Sequence, residues 1–298
     1  MYSLIIVDAL SLLFRSFYAL NEMRNSKSLH IGGVYGFTNQ LLNLINQYRP
    51  THLVIAFDSP DKTWRHSSSE EYKANRKETP TELLHQFDIV KEICLAFGVK
   101  MYQGMNHEAD DWIASCAEAY KEQVNNIYIV STDKDLLQLV NDKIYAYDPF
   151  AKVLFKTEEV IKKWGVKPKQ IIDLLSLTGD SCDGIRGIKG IGPKTAAAWL
   201  NQYVSLEGLI ENICNVSPKH KQKLLEENYR ISLEGKKLIQ LINTLPVEPI
   251  ETATISPNIA VIEEVFIKYE INLVEKLHRV IGRNFKYSSA NELFPEYS

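Results

Sequence analysis

The chain has 298 residues, 45% of them hydrophobic and 24% charged, with 14 Gly and 11 Pro, a composition that excludes collagenous, disulfide-rich and disordered classes. Its formal charge of −3 argues against a uniformly basic nucleic-acid binder, but not against one whose acids are gathered in a single place. At about 150 residues per domain, the length allows one large or two modest domains, each able to bury a core without metal or disulfide staples.

The N-terminal run through Phe14 is apolar, yet it lacks a basic leader region and is interrupted by Asp8, so it reads as a buried strand and not a signal peptide. No uncharged run approaches the roughly 18 residues of a membrane span, and a cytoplasmic protein with no membrane partner is expected. Cys94, Cys116, Cys182 and Cys214 stand far apart, which suits reduced, mostly buried thiols better than a zinc site.

Short β-branched runs predict strands over 3–7, 53–57 and 127–130, each ending in or just before an acid. Between the first two, Val34, Phe37, Leu41, Ile45 and Tyr48 recur at helical steps, closed by Pro50; another helix is predicted over 109–120. This alternation predicts an α/β fold with a mostly parallel central sheet flanked by helices. In such a sheet Asp8, Asp58 and Asp133 fall at carboxyl ends of strands, where α/β proteins place functional groups. A single Asp after a strand is usually a turn former or helix N-cap; it is the three together that point to function. The segment over 63–82 is polar, carries Arg65, Lys73, Arg76 and Lys77, lacks a core-facing apolar stripe, and reads as a mobile lid or arch. After about residue 165 the pattern turns to helices joined by Gly- and Pro-bearing turns, and 287–298 reads as a loosely held tail.

Carboxylate clusters carry the chemistry: Glu108-Ala109-Asp110-Asp111, Asp133-Lys134-Asp135 and Asp180-Ser181-Cys182-Asp183, besides Asp8 and Asp58. Gathered without compensation, such acids would raise one another's pKa values until some stayed protonated. Divalent cations relieve this, and oxygen-only ligands favour Mg²⁺ or Mn²⁺ over zinc. Separately, each cluster has an ordinary structural use, at a helix start or in a turn.

A second feature is the hairpin of Gly187, Ile188, Lys189, Gly190, Ile191, Gly192, Pro193, Lys194 and Thr195, followed by an Ala-rich helix. Glycines permit a tight turn, Pro193 suits a first helical turn, and Arg186, Lys189 and Lys194 come with no acid from 184 to 195. A phosphate of nucleic acid fits such a site. A Walker A loop is excluded by one inserted Pro and by the lack of a preceding strand. The third feature is Tyr72-Lys73-Ala74-Asn75-Arg76, where an aromatic beside spaced cations suits either a solvated helix face or a base-stacking, phosphate-holding strip.

These motifs, with Ile5-Ile6-Val7-Asp8, Ala56-Phe57-Asp58, Thr63-Trp64-Arg65, Ser131-Thr132-Asp133 and Gly179-Asp180, stand in an order that resembles the flap endonuclease and 5′-nuclease family. The likeness is greatest to the 5′-3′ exonuclease domain of bacterial DNA polymerase I and its free-standing relatives. It covers nearly the whole chain and implies a PIN-like nuclease core over 1–165, including a helical arch at about 60–85. A helical region over 166–286 would follow, with a helix-hairpin-helix (here a helix-three-turn-helix) at 184–200, before the tail.

The resemblance further implies a metal-dependent, structure-specific 5′-nuclease with a two-metal mechanism. Asp8, Asp58, Glu108 and Asp110 would hold one ion; Asp133, Asp135 and Asp183 would hold the other, with Asp110 shared and Asp111 and Asp180 acting through water. Lys73 and Arg76 match arch residues that contact the scissile phosphate, Arg15 a basic residue nearby, and Tyr72 a base-stacking aromatic. Arg65, Arg186, Gly187, Lys189, Gly190, Gly192, Lys194 and Thr195 are the remaining expected DNA contacts, with a K⁺ at the hairpin. A monomer acting on flap, nicked or 5′-ended duplex DNA, and on RNA-DNA hybrid, is the implied whole. Gly184 replaces an Asn frequent in the family and is expected to loosen its turn. A non-catalytic DNA-binding module, a PIN-type ribonuclease and a haloacid-dehalogenase phosphatase fit less well, the last because Asp8-Ala9-Leu10 lacks the second acid it needs.

Overall fold

A computed structural model describes residues 2–76, 78–104 and 106–285; Lys77 and the tail over 287–298 lie outside the described residues. The centre is a six-stranded sheet in the order β3-β2-β1-β4-β5-β6. It is built from β1 (Ser3–Asp8), β2 (His52–Ala56), β3 (Lys100–Tyr102), β4 (Asn126–Val130), β5 (Ile144–Asp148) and β6 (Val153–Phe155). All pairings are parallel except β5 with β6. The three predicted strands are present, and β3, β5 and β6 are additional.

β1 lies in the middle because its residues suit burial on both faces. Ile5 and Val7 face one core, Leu4 and Ile6 the other, all fully buried. Each such side chain contributes about 1.5–3 kcal/mol of burial free energy. The first face is covered by α1 (Ala9–Ala19), α2 (Gly32–Tyr48), α4 (Thr81–Ala96), α11 (Ile259–Tyr269) and α12 (Val274–Asn284). The second is covered by α5 (Ala109–Tyr120) and by chain near Ile250 and Ala253. The polar segment contains α3 (Trp64–Ser68) and a run of turns before α4 begins. A third core joins α6 (Thr157–Trp164), α7 (Ile171–Thr178), α8 (Pro193–Tyr203), α9 (Leu206–Glu211) and α10 (Lys219–Ile239).

Connections from β1 run to β2 and β3 on one side, and then to β4 on the other. The strand order therefore reverses between β1 and β4, the crevice position at which open α/β sheets bind ligands. Asp8 ends β1 there, and Ser131 to Asp133 follow β4 directly.

The glycine hairpin begins as a packing device. A side chain on Gly187 would lie 2.1 Å from the Thr178 carbonyl carbon and 2.3 Å from the Gly179 nitrogen, so only glycine lets this strand of chain pass the end of α7. Gly187 is thus required by packing at this crossing. The thiols also divide: Cys94 and Cys116 are buried, whereas Cys182 and Cys214 are exposed. No helix among the described residues is long and apolar enough to cross a membrane.

Replacing Gly187 by Ala is expected to cost about 1–3 kcal/mol through backbone overlap. Urea unfolding read by circular dichroism should show a lower midpoint; an unchanged midpoint would contradict the packing role.

Candidate metal centre and nucleic-acid interface

Asp8 is positioned twice over. As N-cap of α1 it accepts from the Ser11 amide at 3.1 Å, and its other oxygen accepts from Ser131 Oγ at 2.7 Å. Asp58 accepts from the Ala109 amide at 2.9 Å, which ties the end of β2 to the start of α5. Asp133 accepts from the Asp135 amide at 2.9 Å, opening the 3₁₀ turn of Asp135–Leu139. The Asp180 and Ile185 backbones bond each other twice at 2.8 Å, closing a loop that presents Asp180 and Asp183. Capping and chemistry therefore use the same side chains.

A cavity of about 790 Å³ collects Asp8, Asp58, Asp110, Asp133, Asp180 and Asp183 with Lys73, Arg76 and Arg15 on its wall. Residues from α1, including Phe14 and Tyr18, form its less polar side. Asp135 sits just behind: one oxygen each from Asp135, Asp180 and Asp183 lie within 4.8 Å of one another. Asp135 Oδ1 is buried with no hydrogen-bond partner. An orphaned buried carboxylate oxygen within an all-oxygen donor set fits a hard divalent cation.

Crowding shows in the protonation equilibria. Burial, then the Asp58 charge, pushes Asp8 up to about 7. Burial raises Asp58 and Asp133 as well. Asp110 and Asp135 are raised well above the carboxylate range by burial and by Asp133.

Cations of the chain meet this field directly. Lys73 Nζ donates to Glu108 Oε2 at 3.0 Å, Arg76 to Asp183 at 2.6 Å, and Lys134 to Asp180. Burial opposes the charges of Lys73 and Arg76, but neighbouring acids outweigh it and hold both pKa values above ordinary. Lys134 passes in sequence for a spacer between Asp133 and Asp135; its position between two motif acids was the available signal.

Several expected contacts are structural instead. Arg65 is 1% exposed, and its guanidinium forks onto Asp111 through two bonds of 2.7 Å. It also donates to the carbonyls of Leu238 and Gln240. Asp111, fully buried, additionally accepts from the Ile242 and Glu108 amides. Arg65 is therefore not available to DNA, nor Asp111 to a metal shell. Tyr72 is 4% exposed and donates to Glu108 at 2.9 Å, so it does not present its ring to a base. Glu108 accepts from Thr63, Tyr72 and Lys73, and it does not reach the cavity wall.

The polar segment lacks an apolar stripe because its buried anchors are the polar Thr63 and Arg65 and the isolated aromatic Tyr72. Lys73 N donates to the Asp183 carbonyl at 2.9 Å, and Arg186 pairs with Glu71. Gly184 has φ +68°, and a side chain there would sit 2.1 Å from the Glu71 carbonyl oxygen. It tightens the seat of the polar segment, contrary to the expected loosening. At the hairpin, Lys189, Gly190, Gly192 and Lys194 are exposed, and Gly190 turns the chain at φ +90°. Amides of Lys189, Gly190 and Gly192 meet no protein acceptor among the described residues. Thr195 is half-buried and accepts from Lys221 at 2.6 Å, which brings in a cation the sequence did not single out.

Comparison with known proteins now decides the family. Residues 3–165 match the 5′-3′ exonuclease N-terminal resolvase-like domain, and residues 166–259 match the 5′-3′ exonuclease C-terminal SAM fold. The chain belongs to the 5′-3′ exonuclease family. The 5′-3′ exonuclease of Aquifex aeolicus is 38% identical over 251 residues, 83% of this chain and 84% of that one. DNA polymerase I of Bacillus subtilis is 38% identical over 249 residues, 82% of this chain but only 28% of the polymerase. Among solved structures, the T5 D15 protein co-crystallised with metal ions superposes with a TM-score of 0.70 at 20% identity, over 92% of this chain and 99% of that one. The Rad2 catalytic core in complex with DNA substrate gives 0.61 at 18%, over 95% and 92%. The fold of these metal- and DNA-bound proteins is the fold of this 5′-3′ exonuclease family member.

A carboxyl whose pKa is raised on folding binds more protons folded than unfolded between its two values, so stability falls as pH rises through that window. For Asp8 the window runs from 3.8 to about 7, and Asp58, Asp110, Asp133 and Asp135 act in the same direction. Asp111, held below its ordinary value by Arg65 despite burial, acts only at lower pH. In chelator, the site's contribution should therefore lower the melting temperature as pH is raised through the window, and Mn²⁺ should restore more stability at the alkaline end. A midpoint that climbs across the window, or equal Mn²⁺ stabilisation at both ends, would contradict the site's electrostatics.

Proposed function

We propose that the chain is a divalent-metal-dependent, structure-specific 5′-nuclease acting on flap, nicked or 5′-ended duplex DNA and on RNA primer strands. The observation that carries this reading is one cavity in which Asp8, Asp58, Asp110, Asp133, Asp180 and Asp183 face Lys73 and Arg76. A phosphodiester cannot enter an uncompensated carboxylate pocket, whereas an acid-bound cation pair beside the Arg76 guanidinium and the Lys73 ammonium receives one. Mg²⁺ or Mn²⁺ held by these acids and Asp135 would lower the pKa of an attacking water and offset charge on the leaving oxygen.

The chain's own groups do the rest. Asp8 is kept in place by Ser11 and Ser131, and Asp58 by the start of α5. Lys73 and Arg76 rest on Glu108 and Asp183 and can turn from them to the phosphoryl oxygens, adding positive charge where negative charge grows. Arg15, exposed on α1 above Phe150, guards the entrance. Lys189 and Lys194 with the open hairpin amides hold the duplex backbone, joined by Lys221; a K⁺ at the hairpin belongs to the same reading. These contacts are to backbone, so selectivity is for shape and not base sequence.

Asp183→Ala should abolish cleavage of an end-labelled flap substrate in Mg²⁺ while duplex binding, measured in chelator, stays near wild type; full cleavage would remove Asp183 from the site. Lys73→Ala should slow the single-turnover rate by roughly 10²-fold or more, the scale of losing one preorganised charge, with a much smaller effect on substrate affinity. An unchanged rate would show that Lys73 only braces Glu108.

A further inference from the structure

α2 and α12 enclose a second cavity, of about 360 Å³, lined by Asn43, Asn46, Lys276, Arg279, Val280 and Arg283. It shares no residue with the catalytic cavity. Two helical ladders make it. Asn39, Asn43 and Asn46 recur along α2, and Lys276, Arg279 and Arg283 along α12, at the three- and four-residue steps that align side chains on one helix face. Leu277, Val280 and Ile281 lie in the same buried core as Leu41, Leu42 and Ile45, which fixes the ladders against each other.

The charge here is one-sided. Lys276 Nζ donates to the Asn39 carbonyl at 3.2 Å, to Asn43 Oδ1 at 2.6 Å and to Asn39 Oδ1, so all three of its protons rest on neutral oxygens. Among the described residues, no carboxylate lines the cavity. Of the acids on the surrounding helices, Glu263 pairs with His278 and Glu92 with Lys268, while Glu275, exposed on α12 beside Lys276, makes no ion pair with Lys276, Arg279 or Arg283. Burial and the Arg279 charge push the Lys276 ammonium down from its ordinary pKa, the response of a cation lacking a counter-ion. Like charges at these helix spacings repel, so Arg279 and Arg283 add to the excess.

We propose that this cavity is an anion site for a phosphate group. Arg279 and Arg283 supply forked donors, Asn43 and Asn46 supply side-chain amide donors, and Lys276, with its protons committed, supplies field. The phosphate has two sources that share this chemistry: a free phosphate compound, or a phosphodiester in nucleic acid lying outside the catalytic cavity.

The test compares the full chain with an Arg279→Ala/Arg283→Ala double variant and with Asn43→Leu, each first shown to retain the wild-type melting temperature. Pyrophosphate is titrated by calorimetry in chelator, and binding of a blunt duplex is followed against salt. Loss of two charged donors should weaken pyrophosphate binding about tenfold or more if a free phosphate compound is the occupant. If a nucleic-acid backbone is the occupant, the slope of log affinity against log salt should fall by about 0.9 for each phosphate released. Either change supports the site and names its source. Equal pyrophosphate affinity and equal salt slope in wild type and both variants would overturn it. Should the double variant unfold, Asn43→Leu with the same two readouts decides alone.

Discussion

Everything in this molecule answers to one electrostatic constraint: carboxylates from distant parts of the chain are packed, partly desolvated, at one end of a sheet. Repulsion among charges a few ångströms apart grows as water is removed, and the raised pKa of Asp8, Asp58, Asp110, Asp133 and Asp135 is its signature. An apolar core would avoid the conflict, and the sheet supplies such a core on both faces of β1. Only at the strand ends, where the order reverses between β1 and β4, is the conflict built in. A structure that retains it has a use for concentrated negative charge.

The surrounding architecture holds that charge in place. Lys73, Arg76 and Lys134 each rest on an acid of the cluster, and two of them come from a polar segment whose aromatic Tyr72 is buried in the third core. The segment is secured as well by the buried Arg65 fork on Asp111, whose remaining bonds run to the chain leaving α10. Removing one partner of such a buried pair strands the other charge, a loss of about 3–5 kcal/mol in comparable cases. The same few bonds therefore join the polar segment, the start of α5 and the helical region. The hairpin and the acids are thus tied through one set of buried bonds.

The parts of this arrangement that could be read from residues alone follow one rule. Asp8, Asp58 and Asp133 were legible because hydrophobic runs set the strands, and chain order set their ends. The cluster of Asp180 and Asp183 was legible from spacing and from the family's motif order. Strand β3 is three residues long and β6 no longer, so neither offers a period to detect. In β5, Tyr145 and Tyr147 alternate with Ile144 and Ala146, which belong to two different cores, and this blurs the buried run. Arg65, Tyr72 and Asp111 were misplaced for a different reason. Residue type in a polar stretch argues for solvent, while their burial depends on partners scattered through the chain, such as the Arg65 and Asp111 match across 46 positions. Gly184 likewise looked permissive until the Glu71 carbonyl was seen to occupy the space of its missing side chain.

The central claim is that these acids form one divalent-cation site. It is tested most directly by crystals of the protein grown or soaked with Mn²⁺ and measured at a wavelength where manganese scatters anomalously. The account predicts strong anomalous peaks within coordination distance of Asp8, Asp110 and Asp133 and of Asp135, Asp180 and Asp183. Anomalous density confined to surface acids, with those side chains binding only water, would contradict it.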